Sequence, residues 1–278
     1  MLNIAYLGNG KSTNRYHLPF MLKSGKFILK TIFARHFDGP WEKLPQVHYT
    51  QDLNDLYQDD TLDLIVITTP PEFHYQYAKK CLDHGKNVLV EKPFARTKAE
   101  AEELFRLAKE RGLFIQAYQN RRFDSDFLTT QKVIESGKLG TLLEVEDNYD
   151  YYRPEIPVNS TDLDWTSSFL YTHACHTVDQ MISYWGQPQQ INYDVRQLLG
   201  ANKMNNYFDL DFNYQNLKVS IRSSYFRIKA RPTFVAYGTK GMFVKETEDR
   251  QEIDLKHFTC QLTIIRILDF INRNTMGP

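Results

Sequence analysis

Cysteine is scarce in this chain: Cys81, Cys175 and Cys260 lie far apart with no Cys-x-x-Cys pair, which argues against a disulfide framework and against a zinc knuckle. Reduced thiols in a cytoplasmic protein are the expectation. No apolar run of about 18 residues occurs, and Met1-Leu2-Asn3-Ile4-Ala5 lacks a basic segment leading into an apolar one, so neither a membrane span nor a leader is expected. An excess of one charge is also missing. Lys plus Arg and Asp plus Glu both number 34, which leaves no net field to draw the protein to nucleic acid or to an acidic membrane surface. A small neutral or anionic ligand in a pocket fits this balance better.

The 278 residues suffice for two ordinary domains. Over the first 120 or so, short apolar runs alternate with helical segments. Leu2 to Leu7, Phe27 to Ala34, Leu62 to Thr68, Asn87 to Val90 and Leu113 to Tyr118 read as strands; Asp52 to Gln58, Glu72 to His84 and Thr97 to Arg111 read as helices. Thr97-Lys98-Ala99-Glu100 is a capping box and Gly112 a helix stop. A parallel crossover needs a helix to span it, so this alternation predicts a doubly wound parallel sheet over residues 1–121.

Two points in that sheet carry chemistry. Gly8-Asn9-Gly10-Lys11-Ser12-Thr13 follows the first strand and keeps two of the three glycines of a dinucleotide fingerprint, with Thr13 at the third position. The first glycine makes the turn and the second lets backbone approach a pyrophosphate at a helix N-terminus. A P-loop reading of Gly10-Lys11-Ser12 would require glycine where Ala5 stands. At the end of the second strand the chain reads Phe33-Ala34-Arg35-His36; no acid is present to bond a ribose 2′-hydroxyl, and the Arg35 fork suits a 2′-phosphate, so NADP(H) is expected over NAD(H). The second point is Asn87-Val88-Leu89-Val90-Glu91-Lys92-Pro93-Phe94, a buried strand ending in an acid, a lysine and a proline at the edge where open α/β sheets bind ligands.

The Gly8-x-Gly10 turn, Thr69-Pro70-x-x-x-His74 and Glu91-Lys92-Pro93, in that order, resemble the Gfo/Idh/MocA family of NAD(P)-dependent oxidoreductases. The segments Gly8 to Pro19 and Tyr118 to Asp124 are similar to its YhhX-type subgroup, and the likeness extends to about residue 257. The resemblance implies an N-terminal Rossmann domain and a C-terminal α/β domain with an open, largely antiparallel sheet. It implies a lysine, here Lys92, beside the nicotinamide and the substrate hydroxyl, and a Lys92-Pro93 bond that is often cis. Cofactor contacts are then expected from Gly8, Asn9, Gly10, Lys11, Ser12, Arg35, Thr68, Thr69, Pro70, His74, Glu91, Lys92 and Asn120.

Beyond Asp124 the pattern changes to a helix near Phe127 to Ser136, a long strand Leu142 to Tyr152, and short alternating strands from Gln190 to Lys245. This second domain, 122–278, is expected to bind substrate and to form a homodimer or homotetramer through its sheet. Phe169 to Gln180 reads as a helix placing His173, His176 and Gln180 on one face, with Asp179 three residues after His176. The His-Glu-x-x-His pattern of a zinc protease is missing, so no metal is expected. In the family this helix carries a substrate-contacting histidine with an acid three residues after it, matched by His176 and Asp179, and another four before it, where Thr172 stands instead.

Hydride exchange with a sugar- or polyol-like secondary alcohol or ketone follows as the expected activity. Lys92 would orient and polarise the oxygen and His176 would serve as acid/base, with Tyr118, Arg121, Tyr152 and Asp179 shaping the substrate side. Thr172 keeps a second class open, an NADP(H)-binding regulatory protein with little or no turnover. Phe258 to Pro278 departs from the family pattern and reads as a truncated or frameshifted end, in which Ile264 to Ile271 could form an amphipathic helix.

Overall fold

The structure is a computed structural model that describes residues 1–155, 165, 168–200 and 203–246. The sequence expectations for Phe258 to Pro278 lie outside the described residues. The chain divides into two compact units, the first Met1–Tyr118 and the second starting at Gln119.

In the first unit β1 (Leu2–Leu7) leads through the glycine turn into a π-helical segment, Ser12–His17, and then α1 (Leu18–Ser24). There follow β2 (Phe27–Phe33), β3 (His48–Thr50), α2 (Asn54–Tyr57), β4 (Leu64–Ile67), a 3₁₀ turn (Pro71–Phe73), α3 (His74–Asp83), β5 (Val88–Val90), α4 (Lys98–Glu110) and β6 (Ile115–Ala117). The sheet is parallel throughout, in the order β3-β2-β1-β4-β5-β6. Strand order reverses between β1 and β4, so the loops leaving these two strands part and open a crevice at their carboxyl ends. The three-residue β3 is an addition to the strands expected from sequence.

Both faces of this sheet are covered, and the period of two along each strand sorts its side chains between two cores. Ala5, Leu7, Ile65, Ile67, Val88 and Val90 pack with Ala78, Cys81 and Leu82 of α3 and Leu104 and Ala108 of α4. Ile4, Tyr6, Ile32 and Val66 pack with Leu18 and Met21 of α1. The α4 capping box forms in a modified way. Thr97 accepts from the Glu100 amide at 3.2 Å, but Glu100 reaches back to the Arg96 amide at 2.8 Å, one residue before the cap.

The second unit opens with a 3₁₀ turn (Asn120–Phe123) and α5 (Ser125–Glu135), followed by β7 (Leu142–Asn148), α6 (Phe169–Trp185), β8 (Gln190–Arg196), β9 (Tyr207–Asn213), β10 (Lys218–Ser224), β11 (Phe234–Gly238) and β12 (Gly241–Lys245). Its sheet runs β12-β11-β7-β10-β9-β8 and is largely antiparallel; β7 and β10 alone pair in parallel. One face is apolar, with Val145, Phe208, Leu210, Phe212, Val219, Ile221, Phe234 and Ala236 packed on Phe127 of α5 and on Phe169 and Met181 of α6. Among the described residues no helix is long and apolar enough to cross a membrane.

Asp147 stands on the apolar face of β7, opposite Ile221 and Phe234, with Oδ2 buried and without a partner. Burial pushes its carboxyl well above the usual range, Asp126 and Asp124 add to this, and Arg121 opposes it. The native state therefore keeps a proton that the unfolded chain releases near pH 4, so stability falls as pH rises above the unfolded value toward the raised native one. Asp147→Asn, which cannot ionise, is expected to gain stability relative to the parent as pH rises above the unfolded carboxyl value and to flatten the pH profile there, measured by urea unfolding from about pH 4 to 8.

Candidate functional site

Gly8 ends β1 at φ +131°, a conformation that L side chains rarely adopt. A Cβ there would lie 2.6 Å from Thr68 Oγ1 and 2.9 Å from the Thr68 carbonyl carbon, so glycine is required where the β1 and β4 loops touch. Gly10 has the opposite reason for being glycine, since among the described residues, its chain neighbours aside, nothing lies within 4 Å of where its Cβ would be. It holds space open. Thr13, at the third-glycine position, is fully buried; its hydroxyl donates to the Gly8 carbonyl at 2.8 Å and lies 2.7 Å from Thr68 Oγ1. Asn14 Nδ2 donates to the Gly10 carbonyl at 3.0 Å and to Asn9 Oδ1 at 3.0 Å. The carbonyls of Gly8 and Gly10 are thus drawn into the body of the unit, which directs the negative ends of these peptides away from a bound anion.

A cavity of about 270 Å³ lies against this loop. It gathers seven of the residues expected at the cofactor: Gly8, Asn9, Gly10, Arg35, Thr68, Thr69 and Pro70. His36, Phe73 and Tyr77 line it as well and were not anticipated; the two aromatics, four residues apart, have ring centroids separated by 6.1 Å. The Arg35 guanidinium sits 5.1 Å over the Phe73 ring, a cation-π contact that aims its planar fork. Thr69 lines the cavity, and its Oγ1 is buried with no hydrogen-bond partner. Glycines that leave room, an orphan hydroxyl and an arginine at the end of β2 fit a dinucleotide phosphate.

Lys11, Ser12, His74, Glu91 and Lys92 do not line this cavity. Ser12 instead donates its hydroxyl to Glu91 Oε1, and His17 Nε2 donates to the same oxygen at 2.9 Å. The other carboxylate oxygen accepts the Lys92 amide at 3.0 Å. Burial pushes the Glu91 carboxyl upward, but the hydrogen bond and charge of His17, with help from Ser12 and Lys92, outweigh it and hold the group below the usual carboxylate range. Tyr118 lies against His17, ring centroids 4.2 Å apart, with its hydroxyl 3.5 Å from the Tyr16 carbonyl; burial and the nearby Glu91 push this phenol up to about 12.

Lys92 is half-buried and the Lys92-Pro93 peptide bond is cis. His74 is 1 % exposed, with Nδ1 2.7 Å from the Pro93 carbonyl and Nε2 2.8 Å from the Thr69 carbonyl. Burial holds this ring below the ordinary imidazole value against the pull of the two carbonyls. A neutral ring carries one N–H and so donates to one carbonyl, whereas a protonated ring serves both. Either way both ring nitrogens face backbone, and His74 ties the Thr69 loop to the turn that bears Lys92.

In the second unit α6 starts at Ser168, whose side chain accepts from the Tyr171 amide at 3.2 Å. The helix runs to Trp185, past the expected Gln180. Its two histidines separate by environment. His173 is packed among Phe169, Tyr151 and Tyr225, with Nε2 3.4 Å from the Tyr225 hydroxyl, and so belongs to the packing of the unit. His176, half-buried, lies one turn on. Asp179 is committed to Arg122 through two hydrogen bonds of 2.6 Å, and Gln180 Nε2 donates to the Arg121 carbonyl at 2.7 Å. These contacts fasten the Asn120–Phe123 turn to α6 and so place Asn120 beside the histidine helix.

The Arg121 side chain is engaged within the unit too, 2.8 Å from Asp124 and 4.7 Å over the Tyr149 ring. Tyr152 is 56 % exposed and pairs through its backbone with Phe226. At the position where the resemblance implies an acid, Thr172 donates its hydroxyl to the Ser168 carbonyl at 2.8 Å and lies 2.9 Å from His173 Nδ1. It carries no carboxylate and makes none available.

Sheet order, glycine loop and cavity define a nucleotide-binding unit of the Rossmann class, and residues 2–119 match the family model for the oxidoreductase family with an NAD-binding Rossmann fold. Residues 127–244 match the Gfo/Idh/MocA C-terminal domain. The chain belongs to the Gfo/Idh/MocA family. It is 44 % identical to the uncharacterized oxidoreductase YhhX of Escherichia coli over 260 residues, covering 92 % of this chain and 74 % of that one. It is 28 % identical over 256 residues to IolW of Bacillus subtilis, a scyllo-inositol 2-dehydrogenase (NADP(+)), covering 92 % and 72 %. The crystal structure of yhhX superposes with a TM-score of 0.87 at 43 % identity, over 92 % of this chain and 75 % of that one; an oxidoreductase from Bacillus cereus gives 0.86 at 39 %, over 92 % and 74 %.

Proposed function

We propose that this chain is an NADP(H)-preferring dehydrogenase or reductase of sugar- or polyol-like secondary alcohols and ketones. The observation that carries the reading is the crevice at the strand-order reversal, where Gly8, Gly10 and the orphan Thr69 hydroxyl meet Arg35 with no acid at the end of β2. The name of IolW, with NADP(+) and an inositol in it, supports both the cofactor and the substrate class. In this reading the unit up to Tyr118 is the dinucleotide-binding domain, and the unit from Gln119 binds substrate. It also self-associates into a dimer or tetramer through its sheet, where Tyr237, Met242 and Val244 are exposed. Cys81 and Cys175, both in the thiol form, suit a cytoplasmic setting.

Gly8, Asn9 and Gly10 would hold the pyrophosphate, Arg35 the 2′-phosphate, and Thr69 a further polar group of the cofactor. The bound nicotinamide supplies or accepts the hydride. Lys92 orients and polarises the substrate oxygen, and His176 takes or returns its proton as an imidazole general acid/base. Tyr118 and Asn120 shape the pocket around that oxygen.

Arg35→Ala is expected to weaken NADPH by about ten- to a hundredfold and NADH by less than about twofold, the loss of one charged bidentate contact, in a fluorescence titration. NADH binding as tightly as NADPH to the parent, with neither affected by the substitution, would sink the cofactor assignment. Thr172 favours a second reading, a regulatory NADP(H)-binding protein. That protein would show the same titration and no redox turnover with any sugar or polyol.

A further inference from the structure

The segment Ser12–His17 is π-helical, and its two ends meet on one carboxylate oxygen, Glu91 Oε1. On an α-helix residues five apart point about 140° away from each other, whereas on a π-helical turn, closed by i to i+5 bonds, they share a face. The wider turn therefore brings Ser12 and His17 together where a regular helix would separate them. Glu91 completes the connection through its second oxygen, which accepts the Lys92 amide at 3.0 Å. The helix concerned is the one that leaves the glycine loop, so the loop and the lysine are joined through a single buried acid.

From this geometry we infer that His17, with Ser12, is a positioning residue for Lys92, acting through Glu91 to fix the lysine's backbone relative to the glycine loop. The inference rests on the proposed function for the role of Lys92, but the contacts stand independently of cofactor or substrate. Neither Ser12 nor His17 touches the reacting atoms in this scheme. His17 is held in its own place by Tyr6, edge-on at 5.6 Å, and Tyr118 at 4.2 Å between ring centroids. The ionisable groups acting on Glu91 include His17, Lys92, His74, Tyr6 and Tyr118, with the Ser12 hydroxyl and the Lys92 amide as further donors. Of these, His17 is the strongest opponent of burial, so its removal tips the balance toward burial and Glu91 takes up a proton at higher pH than in the parent.

The sequence offers a selective probe. Glu-Lys steps occur at Glu42-Lys43 and Glu91-Lys92 and nowhere else in the chain. Carbonyl-¹³C glutamate combined with ¹⁵N lysine therefore isolates two amide signals, assigned by Lys92→Arg. Followed from about pH 3 to 8, the Lys92 amide of the parent is expected to report the Glu91 carboxyl titrating below the usual carboxylate range. His17→Phe is expected to move the carboxyl titration step in that signal to higher pH than in the parent, and His17→Gln, which keeps an N–H donor, to move it less. The Lys43 signal reports whether His17→Phe folds. Where it does not fold, Ser12→Ala serves, with a smaller shift in the same direction. A Lys92 signal that overlays the parent's across the range in the folded donor-deletion variant overturns the inference. Adding NADPH to the parent tests the functional reading separately: no binding counts against that reading and leaves the pH result intact.

Discussion

Lys92→Met is expected to lower turnover on a polyol substrate by about a hundred- to ten-thousandfold, the range for losing a group that polarises or protonates the reacting oxygen. NADPH affinity should stay within about threefold, because the cavity lining leaves Lys92 out. That split between turnover and cofactor binding separates a role in chemistry from a role in cofactor capture. Methionine is close to the stem of lysine in length and apolar character, so packing around the half-buried side chain is retained. Full turnover in the variant would remove Lys92 from the mechanism, and a parallel loss of NADPH affinity would move it to the cofactor.

The largest stability effect is expected at Asp150, just past β7, whose side chain is 0 % exposed. Arg231 grips it with two hydrogen bonds of 2.8 Å, Nε to Oδ2 and Nη2 to Oδ1, and the Arg231 amide adds a third at 3.2 Å. Ser224 donates to Oδ1 at 3.3 Å and Arg227 approaches to 3.6 Å. Deleting one partner of such a pair leaves the other charge stranded, which costs about 3–5 kcal/mol when both are buried. Arg231 retains 19 % side-chain exposure and recovers some hydration, so Asp150→Ala should cost about 3 kcal/mol in urea unfolding. Arg231→Lys, which keeps the charge and loses the fork, should cost less. A loss below about 1 kcal/mol for Asp150→Ala would show that the pair contributes little beyond an exposed one.

How much of this could be read beforehand depends on how local each feature is. The strand–helix alternation of the first unit was legible because parallel strands covered on both faces are continuous apolar runs, and helices between them show caps such as Thr97 and stops such as Gly112. β3 was missed because three residues carry too little pattern. The single parallel pairing of β7 with β10 was illegible for another reason, since alternation along a strand shows which side is buried and says nothing of the neighbour's direction. α6 outran its expected end because nothing in Met181 to Trp185 breaks a helix; Gly186 follows Trp185 and ends it.

The same distinction applies to the candidate site. Gly8, Gly10 and Arg35 lie at strand ends whose geometry is set by the fold, so their residue types already pointed to a phosphate crevice. The bond from Ser12, expected at the cofactor, to Glu91 was illegible, because a π-helical turn cannot be told from an α-helical one by residue spacing. Thr13 was counted as a missing glycine, while its hydroxyl in fact joins Gly8 to Thr68. Arg122 went unremarked because its partner Asp179 stands 57 residues away, beyond any local rule. The orphan hydroxyl of Thr69 could be recognised only once the neighbouring loops were in place.

The most direct measurement of whether the chain is a polyol oxidoreductase is the reduced-nicotinamide absorbance on mixing the protein with NADP⁺ and a panel of inositol isomers and sugar alcohols. Absorbance should grow with at least one substrate, more slowly with NAD⁺, and the growth should be lost in Lys92→Met. NADPH that binds tightly while no member of the panel, nor its ketone in the reverse direction, exchanges hydride would contradict the proposed activity and leave the regulatory reading in its place.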